Sequence, residues 1–467
     1  MKTKIFLTIS AVFIFIYFQT TAQVLEQDSL ALVAFYNSTG GPDWTNHSGW
    51  LTGPVNTWYG VTVEEGRVIK LAMGNNNLVG VLVEDLGYLT ALKVLGLGND
   101  QGLSGEIPAG IYQLTDLTGL GFSNCSVYGV ISSEIKNLIN LESLYLYKTN
   151  LTGTIPNEIG NLANLKQLWM HNNKLIGTIP PELGNCINLK ELYLDNNNLE
   201  GELPVELANL NLTHLGVSNN NLSGPIPDAL SFVGSYYYLD FSNNDFNYLP
   251  AFNNWYLLSG LYVDYNKLTF EDLESHAQAG YMWFDYFPQK KMEEKIDTVL
   301  LPGSRYTIYS GTGGEYTEYH WYRNGELILQ GIDEDTLFLE NISFSDTGIY
   351  WCRSENSLLP ELILEREPVY IGIDTTEGIS DQSDKRRNIE CYPNPSCNYI
   401  IVTFPVKAET VRIQIFDLYG RNILSGKKNS DVNSQITIDL SGIEEGIYLL
   451  QTQTGKARYS DKIIIKK

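Results

Sequence analysis

Cysteine and histidine are both scarce in this chain of 467 residues, with five of each. Five cysteines are too few to hold a chain of this length together by a disulfide framework. No two of them have the Cys-x-x-Cys spacing of redox and zinc motifs. The histidines are scattered along the sequence, so their positions predict no metal site. These shortages argue against the disulfide-rich, zinc-ribbon and thioredoxin-like classes.

Catalytic motifs are missing as well. The sequence contains no His-Glu-x-x-His, no Gly-Lys-Ser/Thr phosphate loop and no Gly-x-Ser-x-Gly. These motifs mark zinc proteases, P-loop enzymes and serine hydrolases. Aspartate and glutamate are plentiful, but most of them fall on predicted solvent faces. We therefore predict that the chain is not an enzyme and that it needs no cofactor or metal.

Positive charge is also in short supply, because 31 lysines and arginines face 54 aspartates and glutamates, for a net charge of −23. Such a balance argues against nucleic acid or anionic lipid as the partner. The balance reverses at one end, since residues 385–467 carry +5 and the rest of the chain carries −28. This reversal marks the C-terminal segment as a separate module.

Long apolar runs are limited to one, at the N-terminus. Lys2 and Lys4 precede an apolar stretch that ends at Phe18, and small residues follow up to Ala22. This layout is typical of a secretory signal peptide, which we assign to residues 1–22. The stretch is shorter than the ~20 residues that a membrane span needs. We therefore expect an exported mature chain without a transmembrane segment.

What the sequence has instead is a repeat that runs from Leu71 to Leu268. A period of about 24 residues is typical of a solenoid whose units bury their apolar faces against each other. The clearest unit, residues 168–180, reads Leu-x-Met-x-x-Asn-x-Leu-x-Gly-x-Ile-Pro. The glycines that close successive units are Gly80, Gly105, Gly129, Gly153, Gly177, Gly201 and Gly224.

The start of each unit alternates apolar and other residues, which predicts a short strand with one buried face. The asparagine that follows, Asn173 in the clearest unit, is expected to point inward and to satisfy backbone groups of the turn. Equivalent positions, predicted to form one hydrogen-bonded ladder, hold Asn76, Asp100, Cys125, Thr149, Asn173, Asn197, Asn220, Asn244 and Asn266.

This repeat resembles the leucine-rich repeat, in the 24-residue variety with Gly-x-Ile-Pro that is common in plant receptors. The predicted fold is a solenoid with a parallel β-sheet on its concave side and irregular or short helical segments on its convex side. Two small all-β sandwich domains are expected to follow it. We assign residues 23–70 to an N-terminal cap, closed by three tryptophans, and residues 71–288 to the repeats with a C-terminal cap.

Residues 296–373 alternate as short strands and contain two further signals. Trp321 lies in one strand, and residues 346–352 read Asp-Thr-Gly-Ile-Tyr-Trp-Cys. These residues resemble the core tryptophan and tyrosine corner of immunoglobulin-like domains. The cysteine that should pair with Cys352 is missing, so Cys352 is expected to be a buried free thiol.

Residues 374–388 are polar and predict a linker, and residues 389–467 form the last module. Its strands are separated by turn residues, as in a small β-sandwich. The segments around residues 391–395, 411–421 and 446–450 resemble the C-terminal sorting domain of type IX secretion substrates. That resemblance implies transit through the periplasm, contact with the type IX secretion machinery, and display at the outer cell surface or release.

Cys391 and Cys397 flank the Pro-Asn-Pro turn of this module. On geometry alone these two cysteines are able to form a disulfide or to remain apart, and the sequence leaves both alternatives open.

The candidate binding site is the outward face of the repeat sheet. Its central column is aromatic in three successive repeats and is bordered by glycine on both sides. Since glycine folds equally well there, the scaffold does not need the aromatic rings, and exposed aromatic clusters are disfavoured without a partner. The candidate site residues are Tyr145, Tyr147, Gln167, Trp169, His171, Glu191, Tyr193 and Asp195.

The sequence thus predicts a secreted or surface-displayed recognition protein. Its partner would be a protein or glycan ligand, bound through the concave face of the repeats. The alternative is a structural or adhesive surface component without a defined small ligand.

Overall fold

The computed structural model describes residues 24–232, 237–252, 258–374, 389–392, 394, 396, 398–404, 410–417, 420–430, 434–454 and 457–467. The predicted signal peptide (1–22) and all but the first residue of the predicted linker (374–388) lie outside this set. The chain divides into two compact units, which are taken separately here. They are Met1–Asn198 with Asn209–Leu212, and Leu199–Ala208 with Thr213–Lys467.

The first unit begins with helix α1 (Glu26–Ser38) and an antiparallel pair of strands, β1 (Val61–Glu64) and β2 (Arg67–Ala72). Short 3₁₀ helices at Gly41–Asp43 and Val55–Thr57 lie between them. Trp44, Trp50 and Trp58 are buried here, with neighbouring ring centroids 4.9 and 4.6 Å apart. Large aromatic rings bury most area per residue, which suits the end of a stack of repeats.

A buried aspartate ties this helix to the sheet. Asp28 is fully buried and accepts a hydrogen bond of 2.8 Å from the backbone amide of Val68. It also forms an ion pair of 3.1 Å with Arg67. A buried carboxylate is tolerated when its oxygens are paired in this way.

The repeats of the first unit alternate two kinds of strand. Even-numbered strands form one parallel sheet, and odd-numbered strands lie where each unit turns away from that sheet. They are β3 (Gly80–Val81), β4 (Val94–Gly96), β5 (Leu103–Gly105), β6 (Gly119–Gly121), β7 (Ser126–Val130), β8 (Ser143–Tyr145), β9 (Asn150–Thr152), β10 (Gln167–Trp169), β11 (Ile176–Gly177) and β12 (Glu191–Tyr193).

The register of the main sheet places equivalent residues side by side. Leu168 of β10 pairs with Leu144 of β8 and with Leu192 of β12, and all three are fully buried. Because side chains alternate along a strand, the residues on either side of each leucine point to the opposite, concave face.

The convex side carries one 3₁₀ helix per unit. Each contributes a buried isoleucine or leucine, such as Ile159 or Leu183, to the core. The closing glycines have positive φ, for example 74° at Gly153 and 75° at Gly177, a conformation that glycine adopts without strain. The convex helices of the first unit are Glu84–Tyr88, Ala109–Gln113, Ser133–Asn137, Asn157–Asn161 and Pro181–Asn185.

The predicted ladder positions bond to backbone groups of neighbouring units. The amide nitrogen of Asn173 donates to the carbonyls of Leu146 and Met170 at 2.7 and 3.1 Å. Its amide oxygen accepts from the backbone amide of Leu151 at 3.0 Å and from the Thr149 hydroxyl at 2.5 Å. In the same ladder the Cys125 thiol donates to the carbonyl of Leu97.

The second unit continues the same pattern and ends it with a glutamine. The side-chain oxygen of Gln289 accepts from the backbone amides of Asn266 and Leu268 at 3.1 and 3.2 Å. Its amide nitrogen donates to the carbonyls of Val263 and Tyr286. Gln289 thus takes the place of a further ladder asparagine.

The repeat elements of this unit include the 3₁₀ helices Val205–Asn209 and Asp228–Phe232, of which the first spans the division between the units. The strands and helix are β13 (Asn198–Gly201), β14 (His214–Gly216), β15 (Asn221–Pro225), β16 (Tyr238–Asp240), β17 (Asp245–Tyr248), β18 (Gly260–Tyr262), α2 (Phe270–Ala277) and β19 (Trp283–Asp285).

Residues 296–373, the middle β domain, form a six-stranded sheet and a two-stranded sheet. Trp321 lies opposite Cys352 on paired strands, and both are fully buried. The Tyr350 hydroxyl donates to the carbonyl of Asp346 at 2.6 Å. These contacts are compatible with the immunoglobulin-like assignment, which stays a prediction. The strands are β20 (Ile296–Leu300), β21 (Tyr306–Tyr309), β22 (Thr317–Arg323), β23 (Glu326–Gly331), β24 (Thr336–Leu339), β25 (Gly348–Asn356), β26 (Ile363–Glu365) and β27 (Val369–Ile373).

The C-terminal residues form two antiparallel sheets, ordered β28-β29-β32 and β31-β30-β33-β34. Alternate branched residues such as Ile400, Ile413 and Ile438 are buried in a common core. The strands are β28 (Glu390–Tyr392), β29 (Tyr399–Thr403), β30 (Val411–Phe416), β31 (Asn422–Lys428), β32 (Gln435–Asp439), β33 (Gly446–Thr454) and β34 (Ala457–Ile465). In the part of the chain that the structure describes, no helix is long and apolar enough to span a membrane.

Candidate ligand-binding site on the concave face

The predicted aromatic column lies on three neighbouring strands. In the register of β8, β10 and β12, Tyr145, Trp169 and Tyr193 occupy equivalent positions. The rings of Trp169 and Tyr145 have centroids 4.8 Å apart with planes tilted by 56°. The ring of Tyr193 stands edge-on to Trp169, with centroids 5.7 Å apart. Trp169 is therefore the centre of the column.

A second row of rings follows two residues further along the same strands. Tyr147 and His171 stack almost in parallel, with centroids 4.7 Å apart and planes within 6°. The His171 ring also contacts Tyr193, with centroids 6.0 Å apart. Asp195 is half-buried at the equivalent position of the next repeat, two residues beyond Tyr193. We call the eight predicted site residues the aromatic cluster. They are Tyr145, Tyr147, Gln167, Trp169, His171, Glu191, Tyr193 and Asp195.

Polar side chains fix the orientation of the rings. The side-chain oxygen of Gln167 accepts hydrogen bonds from the Tyr145 hydroxyl and from the Ser143 hydroxyl, the latter at 3.1 Å. The indole N–H of Trp169 donates to the Glu191 carboxylate at 3.1 Å. Sequence patterns placed these residues on one face but gave no sign of the bonds between them, because such bonds depend on side-chain rotamers.

The cluster is half-buried rather than fully exposed, since its members cover one another. Burial raises the pKa of Tyr193 to about 12, and the nearby carboxylates of Glu191 and Asp195 add to the rise. Burial, with a smaller contribution from Lys148, lowers the pKa of His171 below its ordinary value. At neutral pH the rings are therefore uncharged and present mainly apolar faces with a few fixed polar groups.

One polar atom of the cluster lacks a partner. The Nδ1 atom of His171 is buried and has no hydrogen-bond partner among the described residues. A buried polar atom without a partner is costly, so a ligand group that reaches this nitrogen gains more than an ordinary hydrogen bond.

Among the described residues no group of three or more His, Cys, Asp or Glu side chains is arranged to hold a metal ion. The other predicted pair, Cys391 and Cys397, falls partly outside the structure because Cys397 is not among the described residues. Cys391 is half-buried. The disulfide stays a prediction.

Comparisons with protein families agree with this architecture. Residues 64–275 match the model described as a leucine-rich repeat region, and residues 390–466 match the secretion system C-terminal sorting domain. The chain contains a leucine-rich repeat region and a secretion system sorting domain. The sorting domain identifies it as a type IX substrate that is delivered to the cell surface or released. This confirms the predicted fold class and localisation.

Two solved structures of plant proteins are similar to this chain. A plant ice-binding protein is 27% identical, with a TM-score of 0.51, and the match covers 59% of this chain and 90% of that one. The ectodomain of the receptor kinase GASSHO1/SCHENGEN3 from Arabidopsis thaliana is also 27% identical, with a TM-score of 0.47, over 56% of this chain and 35% of that one.

A curated relative is phytosulfokine receptor 1 of Arabidopsis thaliana, which is 35% identical over 94 residues. The match covers 19% of this chain and 9% of the receptor. This chain thus spans less than a tenth of the length of this relative.

Proposed function

We propose that this protein is a non-enzymatic recognition protein that binds a protein or glycan ligand through the concave face of its repeats. The aromatic cluster is its binding site, and Trp169 is its central contact. Central aromatic residues carry much of the binding energy of many interfaces. The middle β domain then acts as a spacer or second contact.

The observation that carries this proposal is that the fold does not require rings at these positions. Gly96 and Gly121 occupy the same column two strands and one strand away from Tyr145. A Cβ atom added at Gly96 meets no atom within 4 Å, and one added at Gly121 makes only ordinary contact with Tyr145. The sheet is therefore complete without outward side chains, which leaves binding as the reason for the aromatic cluster.

The experiment is a parallel screen of wild type and Trp169→Ala. The mature full-length protein is tested on a glycan array and against a displayed peptide library. Ligands of the concave face should bind wild type and lose most of their signal with Trp169→Ala. If every ligand found binds both proteins equally, the binding site lies elsewhere on the molecule.

A second candidate function is binding to ice, and a different surface supports it. We call this surface the flat face. It lies along β3, β7, β9 and β11. Each of these strands contributes the two residues on either side of its closing glycine, which itself has no side chain. All are exposed. The flat face consists of Val79, Val81, Tyr128, Val130, Thr152, Thr154, Ile176 and Thr178.

The flat face repeats from strand to strand except at β5, where Ser104 and the exposed Glu106 take the equivalent positions. Val130 pairs with Thr152 on the next strand, and the backbone amide of Ile176 donates to the carbonyl of Gly153 in the preceding unit. Neighbouring strands lie ~4.8 Å apart and alternate residues ~6.7 Å apart, so methyl and hydroxyl groups form a repeating two-dimensional array. An array of this kind suits a periodic solid, and the likeness to a plant ice-binding protein supports the same idea.

Inhibition of ice recrystallisation tests this second candidate. Wild type and Trp169→Ala should be equally active, because Trp169 is not part of the flat face. Thr154→Arg should abolish the activity, since its long charged side chain interrupts the array. A wild-type protein without any effect on ice growth would eliminate the candidate.

A further inference from the structure

The concave sheet changes character sharply between β6 and β8. In the first three repeats five of the nine outward positions are glycine, whereas on β8, β10 and β12 the outward positions carry the aromatic cluster. We call the first part the glycine floor. Its outward residues are Lys70, Ala72, Gly74, Val94, Gly96, Gly98, Gly119, Gly121 and Ser123.

The backbone does not require glycine at all of these positions. Gly96, Gly119 and Gly121 have no positive φ. A Cβ atom added at Gly96 meets nothing within 4 Å, and those at Gly119 and Gly121 come no closer than 3.8 and 3.7 Å to a neighbour. Glycine in a strand interior weakens the strand and often marks a place where a ligand approaches the backbone closely.

A buried hydroxyl on the floor points to a ligand independently. Ser123 occupies the concave position that is equivalent to Tyr147 and His171 in the following repeats. Its side chain is only 6% exposed, yet its hydroxyl oxygen has no hydrogen-bond partner among the described residues. Buried hydroxyl groups are nearly always paired, so a group from outside the chain is a reasonable partner for this one.

The residue that borders the glycine floor on the side of β8, Tyr145, is aromatic and uncharged. Gly121 pairs with Tyr145 in the register of the sheet, so the phenol ring stands at the edge of the floor. The backbone amides here are already used within the sheet, as Leu97 donates to Gly121 and Phe122 donates to Tyr145. The floor therefore offers flat peptide surfaces, with polar side chains only at Lys70, at Ser123 and next to Tyr145.

Charge indicates the class of ligand. Lys70 is the single charged residue of the floor, although the whole chain carries −23. A neutral, flat ligand with hydroxyl groups along its edges fits such a surface better than a charged peptide does. Sugar rings have that shape, because their C–H faces pack on aromatic rings and peptide planes while their hydroxyls bond at the margins.

We infer that the glycine floor and the aromatic cluster form one continuous binding surface for a neutral glycan chain. The glycan crosses the strands, lies on the glycine floor and packs its sugar rings against Tyr145 and Trp169. This inference rests on the proposed concave-face function and adds to it the ligand class and the residues that admit the ligand.

Titration of the mature full-length protein with neutral hexasaccharides of glucose, mannose, xylose and galactose tests the inference. At least one should bind to wild type. Gly96→Trp should weaken that binding at least tenfold, because its indole fills the floor. Gly119→Trp is the second blocking variant if Gly96→Trp does not fold. The matched control is Gly442→Trp in the sorting domain, where an added Cβ atom also meets no atom within 4 Å.

Each outcome separates the floor from the proposed function. Loss of saccharide binding in Gly96→Trp and in Trp169→Ala, with unchanged binding in Gly442→Trp, supports the inference. Loss of saccharide binding in Trp169→Ala alone shows that the glycine floor does not take part in binding, and it leaves the concave-face function intact. If no hexasaccharide binds but a displayed peptide does and depends on Trp169, the glycan class is wrong. Saccharide binding that neither variant affects overturns both.

Discussion

One carboxylate oxygen of Asp100 accepts the backbone amide of Asn76 at 2.9 Å, while its other oxygen is buried without a partner among the described residues. Most other ladder positions hold an asparagine, whose amide group also donates. Asn197, for example, donates to the carbonyls of Met170 and Leu194 at 3.1 and 2.9 Å. The Asp100 carboxylate cannot donate such a hydrogen bond to a carbonyl unless it is protonated.

Replacing Asp100 by asparagine should therefore stabilise the protein by about 1 kcal/mol at pH 7, the typical net contribution of a hydrogen bond. Burial raises the pKa of Asp100, so its charged form is penalised in the fold. Below the ordinary pKa of an aspartate the carboxyl is protonated and this penalty is absent, whereas above it the penalty is present. The stabilisation by Asp100→Asn should therefore shrink towards pH 3. Urea unfolding at both pH values measures it. Asn173→Asp is the reverse control and should destabilise the protein at pH 7.

Acid should weaken the end of the repeats through His276. Its Nδ1 atom lies 2.7 Å from the Tyr281 hydroxyl, and its Nε2 atom is buried without a partner among the described residues. Burial lowers the pKa of His276 to about 4. The neutral form is favoured in the fold, so stability is full above pH 6.5 and is lost as the pH falls towards 4, by up to about 3 kcal/mol.

Thermal unfolding of wild type and His276→Phe between pH 7 and pH 4 checks this prediction. The wild-type stability should fall more steeply than that of the variant. Asp264 titrates in the same range with opposite sign, because burial and the carboxylates of Asp240 and Asp285 raise its pKa to about 6. The difference between the two proteins removes that contribution. Parallel curves would show that His276 is not the titrating group.

Trp169→Ala should affect both stability and binding, to different extents. The indole contacts three neighbouring rings and bonds to Glu191, so its loss should cost about 1 kcal/mol of unfolding free energy. Ligand affinity should fall about 30-fold, which corresponds to about 2 kcal/mol. Urea unfolding and titration with a hit from the screen measure the two effects. Trp169→Phe should recover most of the stability, and unfolding by Trp169→Ala would show that the residue belongs to the core.

Deletion of residues 389–467 should trap the protein in the periplasm, because the deleted residues are the signal for export across the outer membrane. Fractionation with an antibody against the repeats locates the product. A variant with Gly442→Ala, which keeps the sorting domain, should reach the surface like wild type. Normal surface display of the truncated protein would contradict the role of the sorting domain.

The repeat architecture could be predicted because each feature recurs many times. A leucine that is buried once per unit, as Leu144 and Leu168 are, and an inward asparagine such as Asn173 leave a period that is visible in sequence alone. The burial of Trp44, Trp50 and Trp58 could be predicted because large apolar side chains cover the most area, and their role as a cap stays a prediction.

Features that occur once could not be read in the same way. Gln289 follows strand β19 at the spacing at which Asn266 follows β18, but glutamine is the ladder residue of no other unit, so the sequence pattern did not mark it. Asp28 looks like an ordinary helix residue until the fold brings Val68 and Arg67 to it. The aromatic cluster was located by its spacing, but its half-burial and its bonds depend on side-chain rotamers that no spacing encodes.

Gln289 also has a consequence for how this array can change in length. It occupies the groups of Asn266, Leu268 and Val263 through which a further repeat would attach. Repeats can therefore be duplicated or deleted upstream of it without disturbing these bonds at the end of the array. The end is built from its own residues, which leaves the number of repeats before it free to vary.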